Sequence, residues 1–283
     1  MRRQKVPWHH VGTQEEGLAL QHGFLGSAET IWQAVMAMGL PSLAGFSVEV
    51  LPEIDSTNTE LMRRARAGHT EPTLLVAEQQ SAGRGRLGRN WASEPGISLT
   101  FSLGVLLQPL AWDGLSLAVG LSVATSLHAD IQLKWPNDLW VQDRKLAGIL
   151  IETAATAGNA GPRYAVIGIG INIAARPSEG LSTPPAHLQA LLPHTSAAHA
   201  LQSVAAPLLR DVLQFERDGF APFAPRFAAR DALLSREVHL SDGMQGTAQG
   251  VDGRGALRVH TMQGLQYVSS SEVSVRPAPA GGL

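Results

Sequence analysis

Two short segments concentrate side chains that could bind a negatively charged ligand. The first, GRGRLGR at residues 83–89, holds three arginines and three glycines. Guanidinium groups pair with phosphate and carboxylate oxygens in a forked geometry, so this composition favours an anion grip over a core segment. The second, KWPNDLWVQDRKLAG at residues 134–148, holds two lysines and an Asn-Asp pair between apolar runs. Together the two segments predict an enzyme that activates a small carboxylic acid with ATP.

The arginine segment also satisfies the pattern GxGxxG, but its context excludes a dinucleotide site. That motif should follow an apolar strand directly and open a helix. Here the polar stretch EQQS at 78–81 precedes the glycines, and NWASEPG at 90–96, which is not a helical pattern, follows them. A solvated basic loop without a ligand is the alternative interpretation, and ligand binding is the one we favour.

The lysine segment predicts polar groups at the end of a strand. Pro136 prevents the strand before it from continuing, so Asn137 and Asp138 are expected at a strand end, where α/β folds commonly place their sites. Lys145 opens the next strand, where Leu146 and Ile149 indicate an apolar face, and an ammonium group held near the interior needs an anion. The alternatives are a hairpin whose lysines extend into solvent and, for Asp138, a purely structural role in the turn.

The elements that would carry these segments alternate between strands and helices. Apolar patterns predict helices over 28–39, 115–128 and 197–215, and strands over 46–54, 73–77, 97–106, 131–135, 139–141, 146–151 and 164–173. The stretch DSTN at 55–58 is typical of the cap of a helix, which would run to about residue 67. Two glycines inside the last strand, YAVIGIGINI, indicate that a ligand or another backbone comes close.

Composition and turn signals divide the chain into four predicted regions. Residues 1–28 lack clear periodicity and are expected to form an irregular lead-in. A catalytic domain is predicted over 29–233. From about residue 235 short strands alternate with Asp-Gly turns, which predicts a small β-barrel over 234–277, and 278–283 are expected to be a frayed tail. A length of 283 residues accommodates one sizeable domain plus such an appendage.

The overall composition excludes several classes of protein. The formal net charge is −2, so no global charge indicates a nucleic-acid or membrane-surface partner. The absence of cysteine excludes disulfides, thiolate metal sites and a thiol nucleophile. No apolar run reaches the ~18 residues that a spanning helix needs, and no secretory signal pattern begins the chain. We therefore expect a cytoplasmic protein that is not in a membrane.

Four motifs resemble the signature set of the biotin protein ligases. They are DSTN at 55–58, QQSAGRGRLGRNW at 79–91, KWPNDL with DRKLAGIL within 134–150, and GIGINI at 168–173. The resemblance covers about residues 32–276 and implies an α+β fold, a mixed β-sheet flanked by helices as in class II aminoacyl-tRNA synthetases and lipoate ligases. It also implies a small C-terminal Src-homology-3-like β-barrel.

The same resemblance implies a reaction in two steps. Biotin and ATP, with Mg²⁺, would give biotinyl-5′-AMP and pyrophosphate. The biotinyl group would then pass to one lysine of the biotin carboxyl carrier protein of acetyl-CoA carboxylase.

The residues that match the family's motifs receive roles only through this resemblance. Ligand-binding positions are Ser56, Thr57, Asn58, Gln80, Arg84, Gly85, Arg86, Lys134, Asn137, Lys145 and Gly148, and catalytic positions are Lys145, Arg84, Arg86 and Asp138. The first four would line the pocket for the ureido head of biotin, and residues 84–86 would belong to a loop that orders over the adenylate. Lys145 would meet the biotin carboxylate and the α-phosphate. Asp138 would position or deprotonate the acceptor lysine, and no residue is assigned to a metal.

The sequence gives two predictions about macromolecular partners, one on DNA and one on a second copy of the chain. Some members of the family carry an N-terminal DNA-binding domain, but no lysine or arginine lies between Val6 and Gly45. Because DNA binding draws most of its strength from cationic side chains, we expect a monofunctional ligase that does not bind operator DNA. Related ligases dimerise through sheet edges, and the sequence leaves a homodimer and a monomer both open.

Two functions other than biotin ligation are compatible with parts of this pattern. A lipoate or octanoate ligase could share the fold, but octanoyl transferases use a cysteine, and lipoate ligases do not share the arginine and lysine segments as written here. A non-catalytic biotin sensor would need no phosphate grip, so Arg84, Arg86 and Lys145 argue against it.

Overall fold

A mixed seven-stranded sheet forms the centre of the computed structural model, which describes residues 15–156, 161–176, 185–269 and 275–277. Its spatial order is β1-β2-β3-β7-β6-β5-β4. The strands are β1 Ser47–Ile54, β2 Thr73–Gln80, β3 Ser98–Leu107, β4 Gln132–Lys134, β5 Asp138–Val141, β6 Arg144–Ala155 and β7 Arg163–Asn172. β1 and β2 are parallel, and the other neighbours are antiparallel, which confirms the predicted mixed sheet.

Helices cover both faces of this sheet. Among the described residues the α-helices are α1 Glu15–Met36, α2 Thr57–Arg66, α3 Leu115–Leu127, α4 Ala197–Asp218 and α5 Ala224–Ala228. On one face α4 packs against α1, α3 and β3, while α2 lies on the other face against β2, β3, β6 and β7. The sheet is therefore buried on both sides, which explains why its central strands read as nearly continuous apolar runs.

Strand β7 shows how one side of the sheet changes from core to site. Ile167 and Ile169 point into the large core beneath α3 and α4. On the opposite face Val166 packs with α2 in a smaller cluster, and Gly168 and Gly170 continue that face. The two glycines remove the side chains that would otherwise fill the space beside α2, so the core ends there and a cleft begins.

Helix α1 corrects the expected lead-in over 1–28. The helix begins at Glu15, well inside the stretch predicted to be irregular, and ends at Met36. Phe24, Ile31 and Val35 are all buried and are spaced to share one helical face. Phe24 places this apolar stripe upstream of residue 28, where the helix was predicted to begin. Burial of the stripe stabilises the additional helical turns.

The C-terminal part is an all-antiparallel, five-stranded sheet that confirms the predicted small barrel. Its order is β11-β10-β9-β8-β12. The strands are β8 Glu237–Leu240, β9 Gln245–Val251, β10 Leu257–Thr261, β11 Gly264–Val268 and β12 Val275–Pro277. The predicted domain boundary at 233–234 lies between α5 and β8, and as a division into folding units it stays a prediction. The predicted tail, 278–283, lies outside the described residues.

Within the described part of the chain, no helix combines the length and the apolar character that crossing a bilayer requires.

Candidate active site

One cleft, on the α2 face of the sheet, brings together every residue predicted for the site. It encloses about 900 Å³, a value that includes the open space at its mouth. The predicted residues in its lining are Ser56, Thr57, Asn58, Gln80, Arg84, Gly85, Arg86, Lys134, Asn137, Asp138, Lys145 and Gly148. The two charged segments thus converge, although they lie far apart along the chain.

The deep end of the cleft is built on the first turn of α2. Ser56 caps the helix, because its side chain accepts a hydrogen bond from the backbone N–H of Thr59 at 3.4 Å. The backbone N–H and the hydroxyl of Thr57 donate to Gln80 Oε1 at 2.8 and 3.1 Å. The capping interpretation of this motif is confirmed, and the same turn presents buried polar groups to the cleft.

Asn58 is held by the protein at both ends of its amide. Its Nδ2 donates to the backbone oxygen of Leu150 at 3.2 Å and to Glu152 Oε2 at 2.9 Å, and its Oδ1 accepts from Ser102 Oγ at 2.6 Å. A Cβ on Gly168 would lie 2.1 Å from Asn58 Oδ1, so this asparagine needs the glycine opposite it. Its predicted contact with the ligand stays a prediction.

Arg84 and Arg86 point to different parts of the cleft. Arg84 Nη2 pairs with Glu152 Oε2 at 2.6 Å, whereas Arg86 Nη1 donates to Asn137 Oδ1 at 3.3 Å. Burial lowers the pKa of Arg86, and the nearby Asp138 acts in the opposite direction. Arg86 therefore joins the lysine segment, while Arg84 joins the deep pocket.

Glu152 was absent from the predicted site. Its signal in the sequence is an acidic residue inside the apolar strand GILIETAA, where a charge needs a partner.

Two ammonium groups face the carboxylate of Asp138. Lys145 Nζ lies 2.7 Å from Asp138 Oδ1, and Lys134 Nζ lies 4.0 Å from Oδ2. Burial is the main reason that the pKa of Lys134 falls to about 8; Lys145 and two more distant arginines lower it further, and Asp138 opposes the shift. This row of charges gives the cleft an electropositive wall.

The expectation that Lys145 is the interior lysine is wrong. Its side chain is 41% exposed, whereas that of Lys134 is 10% exposed. Lys134 ends the short strand β4 and lies over the ring of Trp140, with its Nζ 5.3 Å from the ring centroid, so packing around β4 removes it from water. Lys145 lies one residue beyond the start of β6, near the hairpin turn, and keeps access to the cleft.

Trp91, also absent from the predicted site, forms part of the floor. A Cβ on Gly170 would lie 2.3 Å from its ring, and Lys145 Nζ is 5.7 Å from its ring centroid. A Cβ on Gly148 would lie 3.1 Å from Lys145 Nζ. The strand glycines therefore make room for side chains rather than for another backbone, and the approach of Gly148 to the ligand stays a prediction. The aromatic residue that ends the QQSAGRGRLGRNW motif was the available signal.

No group of three or more His, Cys, Asp or Glu side chains that could hold a metal ion occurs among the described residues.

Comparisons with known proteins agree with this architecture. Residues 50–172 match the Biotin/lipoate A/B protein ligase family, and residues 236–276 match the Biotin protein ligase C terminal domain. The chain is 38% identical over 255 residues to the Bifunctional ligase/repressor BirA of Escherichia coli, covering 84% of this chain and 77% of that protein. It is 31% identical over 242 residues to the Biotin--[acetyl-CoA-carboxylase] ligase of Paracoccus denitrificans, covering 79% of this chain and 98% of the relative.

The chain belongs to the biotin protein ligase family.

A solved biotin protein ligase shares its fold. The enzyme from Aquifex aeolicus, in complex with biotin and ATP, superposes with a TM-score of 0.70 at 29% identity, covering 82% of this chain and 99% of that one. This biotin protein ligase is accordingly an enzyme with the mixed sheet and the small C-terminal barrel of its family. Fixed cations at one point of a cleft are the arrangement that stabilises charge on a reacting phosphoryl group.

Proposed function

We propose that this ligase activates biotin with ATP to biotinyl-5′-AMP and pyrophosphate, and then transfers the biotinyl group to a lysine of the biotin carboxyl carrier protein of acetyl-CoA carboxylase. The observation that carries the proposal is the convergence of Arg86, Lys134 and Lys145 in one cleft beside the polar pocket at the start of α2. The Aquifex structure with biotin and ATP supports the two substrates, and the names of the Paracoccus and Mycobacterium tuberculosis ligases support the acceptor.

In the first step a carboxylate approaches the α-phosphate of ATP, so two negative groups must come together. Lys145, exposed enough to reach a ligand, is assigned to the biotin carboxylate and the α-phosphate. Arg86 and Lys134 are assigned to the phosphoryl oxygens, where charge grows in the transition state. Mg²⁺ would accompany ATP on its phosphates, as this ion usually does in nucleotide sites.

In the second step the acceptor lysine must approach as an ammonium group and attack as an amine. Asp138 is the acidic side chain that lines the cleft. We propose that Asp138 orients the amine of the acceptor lysine and accepts its proton.

The experiment that tests this function is transfer of radiolabelled biotin to a purified carrier protein, with and without ATP. We expect label on the carrier only when ATP is present, together with pyrophosphate exchange into ATP that depends on biotin and not on lipoate. Exchange driven by lipoate would make the chain a lipoate ligase, and binding of biotin without exchange would make it a sensor.

Three further expectations belong to the proposal. The ligase does not bind operator DNA, it acts in the cytoplasm, and it uses the carrier protein with or without forming a homodimer. A mobility-shift assay with biotinyl-5′-AMP present addresses the first, and sequence-selective retention of DNA would overturn it.

A further inference from the structure

Glu152 lies where the arginine segment meets the deep pocket. Its Oε2 accepts hydrogen bonds from Arg84 Nη2 at 2.6 Å and from Asn58 Nδ2 at 2.9 Å. The carboxylate is on the central strand β6, and its side chain is 26% exposed. A single acidic group on a rigid strand therefore joins a loop to the first turn of α2.

Two acceptors fix which way the Asn58 amide points. The Glu152 carboxylate and the Leu150 backbone oxygen have no proton to donate, so Nδ2, the donor end of the amide, faces them and Oδ1 faces Ser102. Ser102, which is fully buried, also lies 2.7 Å from Thr57 Oγ1, which bonds in turn to Gln80. Glu152 is thus one of two acceptors that orient the pocket network, and it is the one that also binds Arg84.

The arginine segment folds as a closed hairpin, so holding one residue near its base holds the base as a whole. The backbone N–H of Trp91 donates to Gly83 O at 2.9 Å, and that of Gly85 donates to Arg89 O at 2.7 Å. Arg84 lies between these two backbone hydrogen bonds, at the base of the hairpin. Arg86 lies past the second one, nearer the tip, where it contacts Asn137.

We propose that Glu152 is a positioning residue, which anchors the base of the arginine loop at Arg84 onto the pocket for the biotin head. The Arg86 end of the loop, which contacts Asn137 beyond this anchor, closes over the adenylate. The proposal rests on the proposed function and deepens it. Filling the pocket and closing the loop become linked events, because Asn58 and Arg84 share one acceptor.

The test compares the Glu152→Gln variant with the parent enzyme. Glutamine keeps the size of the side chain but removes the charge that binds Arg84 and weakens the acceptor that Asn58 shares with it, while the Leu150 oxygen still orients the amide. We expect KM for biotin in pyrophosphate exchange to rise about fivefold, with kcat changing less, and preformed biotinyl-5′-AMP to dissociate about fivefold faster, as for loss of one partly exposed charge pair.

A second pair of variants asks whether the two residues act together. If Arg84 is held only by Glu152, the double variant Arg84→Gln with Glu152→Gln retains the adenylate no worse than the poorer single variant. The charge-reversed pair, Arg84→Glu with Glu152→Arg, should recover part of the retention that Arg84→Glu alone loses.

The matched control is Glu49→Gln, which breaks another carboxylate–arginine pair of the same fold outside the cleft. Glu49 accepts from Arg64 Nη1 at 2.9 Å through both oxygens. Its adenylate retention should equal that of the parent. The anchor is wrong if Glu152→Gln lowers only Tm while retention and KM stay parental, or if the Arg84 and Glu152 effects multiply independently. A parent enzyme without biotin-dependent exchange would instead reject the proposed function.

Discussion

Lys134 and Lys145 face one carboxylate from opposite sides, yet their surroundings suit them to different tasks. Lys134 is nearly removed from water and lies over Trp140, so its Nζ has little freedom to follow a ligand. Lys145 is partly exposed and lies beside Trp91 and Gly148. The exposed ammonium group of Lys145 can meet an entering anion. The buried ammonium group of Lys134 contributes to the positive potential of the cleft wall.

Replacing Lys145 by alanine should slow adenylate formation far more than it weakens biotin binding. A cation that acts on the transition state contributes about 100-fold to such a step, because its interaction strengthens as charge develops. The measurement is biotin-dependent pyrophosphate exchange beside the Kd for biotin. Arg144→Ala, next to Lys145 at the start of β6 and outside the cleft lining, is the matched control and should behave as the parent. Equal losses in rate and in binding would mean that Lys145 holds only the ground state.

Replacing Lys134 by methionine should stabilise the protein at neutral pH while reducing its activity. The pKa of Lys134 is about 8 in the fold against 10.5 when unperturbed, so the folded state binds this proton less tightly than the unfolded chain. The charged side chain therefore costs stability below pH 8, and that cost disappears as the pH rises from 8 to 10.5. Urea unfolding should show a gain of roughly 1–3 kcal/mol at pH 7 that falls to roughly a quarter of that value at pH 10. An equal gain at both values would mean that packing, not charge, explains it.

The motifs and the resemblance they carry predicted many residues that line the cleft, but not Trp91, and not the environment of each residue. The motif residues around Lys134 and Lys145 were assigned by resemblance, and all of them line one space. Which lysine is buried depends on how β4 packs against elements distant in the chain, and local spacing carries no record of that. Glu152 lay outside the assigned motif positions, and its role depends on Arg84 and Asn58 reaching it from other elements.

At the scale of elements, the arginine loop combines a fixed base with an exposed tip. Gly83 cannot carry a side chain, because a Cβ there would lie 2.4 Å from Trp91 O. Leu87 at the tip has φ 55°, a left-handed conformation unfavourable for a branched residue, and it is 57% exposed. The tip is thus held by few contacts, which suits a segment that must close over a reactive intermediate and shield it from water.

Replacing Arg86 by alanine should make the adenylate leak. Arg86 reaches from the loop to Asn137, so its loss removes the contact that holds the tip over the lysine segment. We expect the parent enzyme to retain biotinyl-5′-AMP through gel filtration. The Arg86 variant should release it about tenfold faster, as for loss of one charge-assisted hydrogen bond.

Arg63→Ala, on the exposed side of α2, is the control for losing an arginine outside the cleft. An adenylate that stays bound to the Arg86 variant as long as to the parent would show that closure does not depend on this side chain.

The element pattern was predicted well where one face is apolar, and less well where tertiary pairing decides. Strand β2 was expected to end at Ala77, because polar residues follow, yet it continues to Gln80. Pairing with β1 extends it, since Ile54 lies opposite Gln80 in the parallel register. The polar end of this strand points at the cleft, where Gln80 holds Thr57, so the site itself departs from the core pattern.

At the scale of the molecule, the small barrel braces the segment that carries Asp138. The indole of Trp135, which is fully buried, donates to Gly255 O in the turn between β9 and β10 at 3.1 Å. A Cβ on Gly255 would lie 2.8 Å from Gly114 Cα, so the turn seats directly against the segment that begins α3. Because Trp135 lies just before Pro136, a displaced barrel would disturb the strand end that forms the electropositive wall. These contacts favour support of the site as the barrel's role.

Comparing Gly255→Ala with Gly243→Ala separates this docking from ordinary backbone strain. Both glycines lie in barrel turns at positive φ, 87° and 92°, so alanine costs about 1 kcal/mol at either position. Only Gly255 meets backbone, because the space around Gly243 is open. Urea unfolding should therefore show a further loss of roughly 1–3 kcal/mol for Gly255→Ala, and its rate of biotin transfer should fall about tenfold while Gly243→Ala keeps the parental rate. If the two variants lose stability equally and both retain full transfer, the contact of the Gly255 turn with Gly114 and Trp135 does not support the site. The strand end before Asp138 would then keep its geometry without the barrel.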